Sequence, residues 1–139
     1  MQAELLVKPV RQRPEVKQKY SVLIVDDDAS MAEVLATRLA SQGFQTLTAH
    51  QGQDGLALAK EKRPDLILLD LRLPDCDGFD VCAELDVSPE TTGIPIIILS
   101  GMARPDVIRR SRAAGCRYYV RKPYDPNALL LLIQQAIHE

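Results

Sequence analysis

Apolar residues in this chain fall into short unbroken runs separated by longer amphipathic stretches. The clearest runs are Val22-Leu23-Ile24-Val25, Leu66-Ile67-Leu68-Leu69 and Ile96-Ile97-Ile98-Leu99. Four consecutive apolar positions read as a strand covered on both faces, as in a parallel sheet. Two weaker segments, 44–49 and Tyr118-Tyr119-Val120, read as further strands, the first an edge because its alternation is poor. Between the runs the period becomes helical. Met31, Val34, Leu35 and Leu39 share one face of a helix opened by Asp28 or Ser30. A second helix spans about 53–62 and stops before Pro64, a third covers about 78–85, and a fourth, about 105–114, ends at Gly115. The fifth has Asp125 as cap, Pro126 in its first turn, and Leu129, Leu130, Ile133 and Ile137 on its apolar face.

Five strand–helix units with right-handed crossovers predict an α/β fold: a three-layer doubly wound (βα)5 sandwich, flavodoxin-like, with parallel sheet order 2-1-3-4-5. In such sheets the ligand site lies outside the carboxyl ends of the strands, at the point where strand order reverses. The first run ends in Asp26-Asp27-Asp28, the third strand in Asp70, the fourth in Ser100-Gly101, and Lys122-Pro123 follows the fifth. Carboxylates, a hydroxyl and an ammonium are thereby expected at one sheet edge.

Bulk composition narrows the setting. The chain has 139 residues, 46% of them hydrophobic, enough for one domain with a full core. Residues 1–20 hold five Lys/Arg against two Glu, with Pro9 and Pro14, and are expected to form a flexible basic leader or linker before a domain over 21–139. The formal net charge of -2 is too near neutral to favour nucleic acid or an anionic membrane, so neither is expected as a direct partner. Three cysteines without a Cys-x-x-Cys pair argue against a disulfide framework or a zinc site. With no apolar stretch of membrane-spanning length, the expected compartment is the cytoplasm.

Asp26, Asp27 and Asp70 carry the chemistry. Like charges disfavour one another's ionisation, so a converging trio invites a cation, and an all-oxygen set beside a phosphate selects Mg²⁺. Turn and cap chemistry is the plainer account of Asp28. A carboxylate facing bound Mg²⁺ is also placed to attack phosphorus, as in enzymes that form aspartyl phosphates. Ser100 is read as donor to a phosphoryl oxygen, against the alternative of a cap. Lys122 is read as its counter-charge, against that of a solvated surface lysine. The X-Pro bond at Lys122-Pro123, where the cis form costs only about 0.5–1 kcal/mol, suits a turn that aims this lysine over the sheet edge.

The chain resembles the receiver domain of two-component response regulators. The resemblance rests on Leu23-Ile24-Val25-Asp26-Asp27-Asp28, on Asp65 to Gly78 with Asp70-Leu71-Arg72-Leu73-Pro74-Asp75 at its centre, on Ile97-Ile98-Leu99-Ser100-Gly101, and on Ala114 to Tyr124. It extends from Ser21 to about His138. It implies Asp70 as phosphoacceptor, Asp26 and Asp27 as the acidic pair for Mg²⁺, and the main-chain carbonyl of Arg72 as a further ligand. It also implies Ser100 and Lys122 as phosphoryl-binding groups and Tyr119 as an aromatic switch, whose alternative is an ordinary edge aromatic. The implied donor is a histidine kinase or phosphotransfer protein, since neither His50 nor His138 sits in a phosphotransfer context. The implied output is a surface of the fourth helix, fifth strand and fifth helix. That surface would control a downstream protein or attached effector domain, or pair two copies as a homodimer. Arg72 and Met102 are bulky where the family flanks the path of attacking water, which implies slow loss of phosphate. Three other readings compete. An aspartyl-phosphate phosphatase needs a second Asp where Arg72 stands, a flavin binder needs a phosphate loop where Asp26-Asp27-Asp28 would repel it, and a receiver-like module would bind partners without phosphorylation.

Overall fold

The three long apolar runs form the middle of the sheet. In the computed structural model, which describes residues 19–102 and 104–139, the strands are β1 (Ser21–Val25), β2 (Gln45–Ala49), β3 (Leu66–Asp70), β4 (Ile96–Ser100) and β5 (Tyr118–Arg121). They form one parallel sheet in the order β2-β1-β3-β4-β5, as expected. Strand alternation sends successive side chains to opposite faces. On one face Leu23, Val25, Ile67, Leu69, Ile96 and Ile98 meet helices α2 (Gly52–Lys62), α3 (Gly78–Val87) and α4 (Pro105–Ala113). On the other, Val22, Ile24, Leu66, Leu68, Ile97 and Leu99 meet α1 (Ala29–Ser41) and α5 (Pro126–His138). Residues 22–25, 66–69 and 96–99 are buried throughout, which explains the absence of a polar face in their sequence. Each fully buried aliphatic side chain of this kind contributes about 1.5–3 kcal/mol.

Caps set where the helices begin. Asp28, Asp77 and Asp125 accept hydrogen bonds from the N–H of Met31, Phe79 and Asn127. Between the two caps considered for α1, Asp28 is the one used. The strand boundaries differ from the sequence reading in one respect that matters: β3 and β4 include Asp70 and Ser100. Ladder pairing with Leu99 and Arg121 holds these two polar residues in the sheet itself. The leader expected over 1–20 lies outside the described residues except for Lys19 and Tyr20. Among the described residues no helix is long and apolar enough to cross a membrane.

Candidate functional site

Strand register assembles the polar edge. Val25 pairs with Leu69, so Asp26 and Asp70 leave adjacent strands at the same level. Asp70 pairs with Leu99, which puts Ser100 one residue further on, and Ser100 pairs with Arg121, the residue before Lys122. Strand order reverses between β1 and β3, where a doubly wound sheet leaves its crevice.

One oxygen from each of Asp26, Asp27 and Asp70 lies within 4.8 Å of the others. Asp26 and Asp70 are 6% and 8% exposed, whereas Asp27 is open to solvent. Lys122 spans the pair, its Nζ 3.2 Å from Asp26 Oδ2 and 3.1 Å from Asp70 Oδ2. The remaining oxygens of the two buried carboxylates accept main-chain N–H groups: Asp28 N to Asp26 Oδ1 at 3.0 Å, and Arg72 N to Asp70 Oδ1 at 3.1 Å. The Lys122–Pro123 peptide is cis, and Lys122 N donates to Ser100 O at 2.8 Å.

Burial pushes the Asp70 carboxyl above its ordinary value of 3.8, and the charge of Asp26 adds to this, against the opposing Arg72 N–H and Lys122 ammonium. For Lys122, burial pulls downward, but Asp70 and Asp26 outweigh it and hold the ammonium above its ordinary 10.5. Within one ion pair these directions look opposed, since an ammonium should lower its carboxylate partner. They agree because burial outweighs the ammonium at Asp70, while Lys122 faces two carboxylates at once. The surplus of negative charge and the all-oxygen donor set fit a divalent cation of the Mg²⁺ or Ca²⁺ type.

Ser100 is buried and its Oγ accepts Met102 N at 3.1 Å, which leaves its own hydroxyl hydrogen unspent. Tyr119 packs with Met102 against the α2–α3–α4 core. Its hydroxyl is buried with no hydrogen-bond partner among the described residues. The three cysteines are free thiols. Cys82 is buried, which drives its thiol up to about 12 and leaves it an apolar filler.

Two residues that sequence reasoning passed over stand beside this set. The Asp75 carboxylate accepts Gly52 N at 2.7 Å and Gln53 N at 2.9 Å, and His50 Nδ1 lies 3.0 Å from the main-chain oxygen of Asp26. Their partners are main-chain groups of distant segments, and residue types in the sequence carry no signal for those.

Comparison with known proteins agrees with the geometry. The family described as Response regulator receiver domain matches residues 22–134. The chain is 37% identical over 116 residues to the DNA-binding response regulator MtrA of Mycobacterium tuberculosis, covering 84% of this chain and 50% of that protein. Among solved structures, the chemotaxis response regulator CheY4 of Vibrio cholerae is similar with a TM-score of 0.80 at 28% identity, covering 85% of this chain and 98% of the other. A CheY-like response regulator receiver domain protein of Methanospirillum hungatei gives 0.79 at 28%, covering 86% and 94%. The chain spans about half the length of the curated relatives it matches.

One expectation is overturned. Near-neutral charge argued against nucleic acid as a direct partner, yet the MtrA relatives are DNA-binding response regulators. The argument weighed the charge of a chain that spans half of such a protein, and that charge carries no information about the other half. With the family match over 22–134, the fold and the relatives in agreement, this chain belongs to the response regulator receiver domain family of two-component signalling.

Proposed function

We propose that this receiver domain accepts a phosphoryl group on Asp70 in a Mg²⁺-dependent reaction. The donor is the phosphorylated histidine of a kinase or phosphotransfer protein. The observation that carries this reading is the convergence of Asp26, Asp27 and Asp70 within 4.8 Å, with Lys122 between the two buried carboxylates. Asp26, Asp27, Asp70 and the Arg72 carbonyl would hold Mg²⁺, which when bound neutralises charge on the transferred group. A carboxylate oxygen of Asp70 forms the new bond to phosphorus while the phosphorus–nitrogen bond to the donor imidazole breaks and its electron pair stays on nitrogen. Lys122 then exchanges part of its contact with Asp70 for a phosphoryl oxygen, and the Ser100 hydroxyl donates to another. An apolar groove of about 390 Å³, lined by Met31, Val34, Leu35, Pro123 and Tyr124, opens beside Lys122 and suits the donor's apolar face.

Charge-assisted hydrogen bonds contribute about 1.5–3 kcal/mol each. Shifting a two-state balance from 1:99 to 99:1 takes about 5.5 kcal/mol, so a few such contacts suffice. The element that moves is the segment after β4 together with Tyr119, whose buried hydroxyl has no hydrogen-bond partner among the described residues. The readout is the surface of α4, β5 and α5, acting on a partner or attached domain. The DNA-binding relatives support a transcriptional output. Beryllofluoride with Mg²⁺, a stand-in for the phosphoryl group, tests the reading by NMR. Wild type should show shifts from the pocket to α4 and β5, and Asp70→Ala should show none. Equal shifts in both proteins would refute it.

A further inference from the structure

We propose that His50 and Asp75 are positioning residues that set the affinity of the acidic pocket for its divalent cation, acting through the turn between β2 and α2. This rests on the reading of the pocket given above. That turn, residues 49–53, holds both halves of the pocket at once. On the β1 side, Ala49 O accepts Asp26 N at 3.0 Å, and His50 Nδ1 meets Asp26 O at 3.0 Å. A carbonyl oxygen only accepts, so Nδ1 carries the hydrogen. The main chain of Asp26 is thus held at both its N–H and its C=O, directly before Asp27.

On the β3 side the clasp runs the other way. The first N–H groups of a helix have no partner within it and lie at its positive end. In α2 two of these, on Gly52 and Gln53, go to the two oxygens of Asp75. Asp75 belongs to the 71–77 loop that leaves Asp70 and contains Arg72. Contact there is close: a Cβ on Gly52 would lie 2.1 Å from Cys76 Sγ, 3.0 Å from Val81 Cγ2 and 3.3 Å from Leu73 Cδ1. Any larger residue at Gly52 would force the Cys76 side chain, which sits on the helix start, to shift. One short turn therefore fixes the distance between the chain segment of Asp26-Asp27 and the loop of Arg72. Neither His50 nor Asp75 touches the cation in this scheme, and each acts by holding main chain that does. In known metal sites, losing a residue that orients a ligand weakens affinity about 10–100-fold.

The test is a Mg²⁺ titration of the full chain, followed by amide shifts of Asp27 and Arg72, beside melting curves in EDTA. Asp75→Ala and His50→Ala should each weaken Mg²⁺ binding by about tenfold, the low end of that range. Asp75→Asn is nearly isosteric but turns an NH2 toward a helix N–H, so it should weaken binding almost as much as alanine. His50→Asn, whose Nδ2 reaches the place of the ring Nδ1, should restore wild-type affinity. A purely structural role would lower the EDTA melting temperature of the alanine variants and leave their Mg²⁺ affinity unchanged, which would overturn the inference alone. A wild-type chain that binds no Mg²⁺ would overturn the reading of the pocket and the inference with it.

Discussion

Asp70 is a buried carboxylate whose neighbours include another carboxylate, and its cost to the folded state is the sign of what it is for. Between its ordinary 3.8 and its raised native value, the folded chain binds more protons than the unfolded one. Its contribution to stability is therefore present below 3.8 and is lost as pH rises through that window. Asp70→Asn carries no charge at any pH and escapes the loss. Without metal and near pH 7, the variant should be more stable than wild type by on the order of 1 kcal/mol. That corresponds to a melting temperature about 3–6 °C higher. Melts in EDTA near pH 4 and near pH 7 check the sign: the advantage should shrink at the lower pH, and an equal advantage at both would remove burial of charge as the cause. Arg72 presents its N–H to Asp70 and Met102 its N–H to Ser100, so one bulky residue adjoins the proposed acceptor and the other the proposed phosphoryl-binding hydroxyl. Arg72→Asn with Met102→Ala should speed loss of phosphate by roughly tenfold, equivalent to about 1.4 kcal/mol of barrier. An unchanged time course would dismiss their bulk as a shield. The strand-end positions of Asp26, Asp27, Asp70, Ser100 and Lys122 were legible because each follows an apolar run. His50 and Asp75 were not, because main-chain partners from other segments define their roles.

The β3–α3 connection shows how an element holds a site in place. Gly78 N donates to Leu71 O at 3.1 Å, and the main chains of Arg72 and Asp77 form an antiparallel β-bridge, with the Asp77 carboxylate capping α3 through Phe79 N at 2.9 Å. A Cβ on Gly78 would stand 2.5 Å from Leu71 Cα and 2.8 Å from Asp70 O, both main-chain atoms that cannot rotate away. Gly78→Ala should cost about 1–3 kcal/mol in denaturant unfolding. It should also weaken Mg²⁺ binding, since the displaced atoms belong to Asp70 and its neighbour. Unaltered stability would mean the loop is looser than its contacts imply. From the far side, Arg110 of α4 lies 4.0 Å over the Phe79 ring and 3.8 Å from Asp77, a largely exposed contact that adds about 0.5–1 kcal/mol at most. Periodicity located the five helices of the described residues, yet their first and last residues depended on such contacts. The start of α2 at Gly52 depends on Asp75, which sequence spacing does not connect to it.

At the scale of the whole molecule, the pocket exists only when the sheet does. Lys122 lies 96 residues from Asp26 and 52 from Asp70 along the chain, and four strands must pair before the three groups meet. The five alternating strand–helix units were legible from the apolar runs and their spacing, and the sheet order came from the doubly wound architecture they imply. The nucleic-acid question was not, because net charge describes only the residues counted. The most direct measurement of the central claim is intact-mass spectrometry after incubation with a small-molecule phosphodonor and Mg²⁺. Wild type should gain the mass of one phosphoryl group, while Asp70→Asn, and wild type in EDTA, should gain none. An adduct that persists in Asp70→Asn, or that forms equally well without Mg²⁺, would contradict the account.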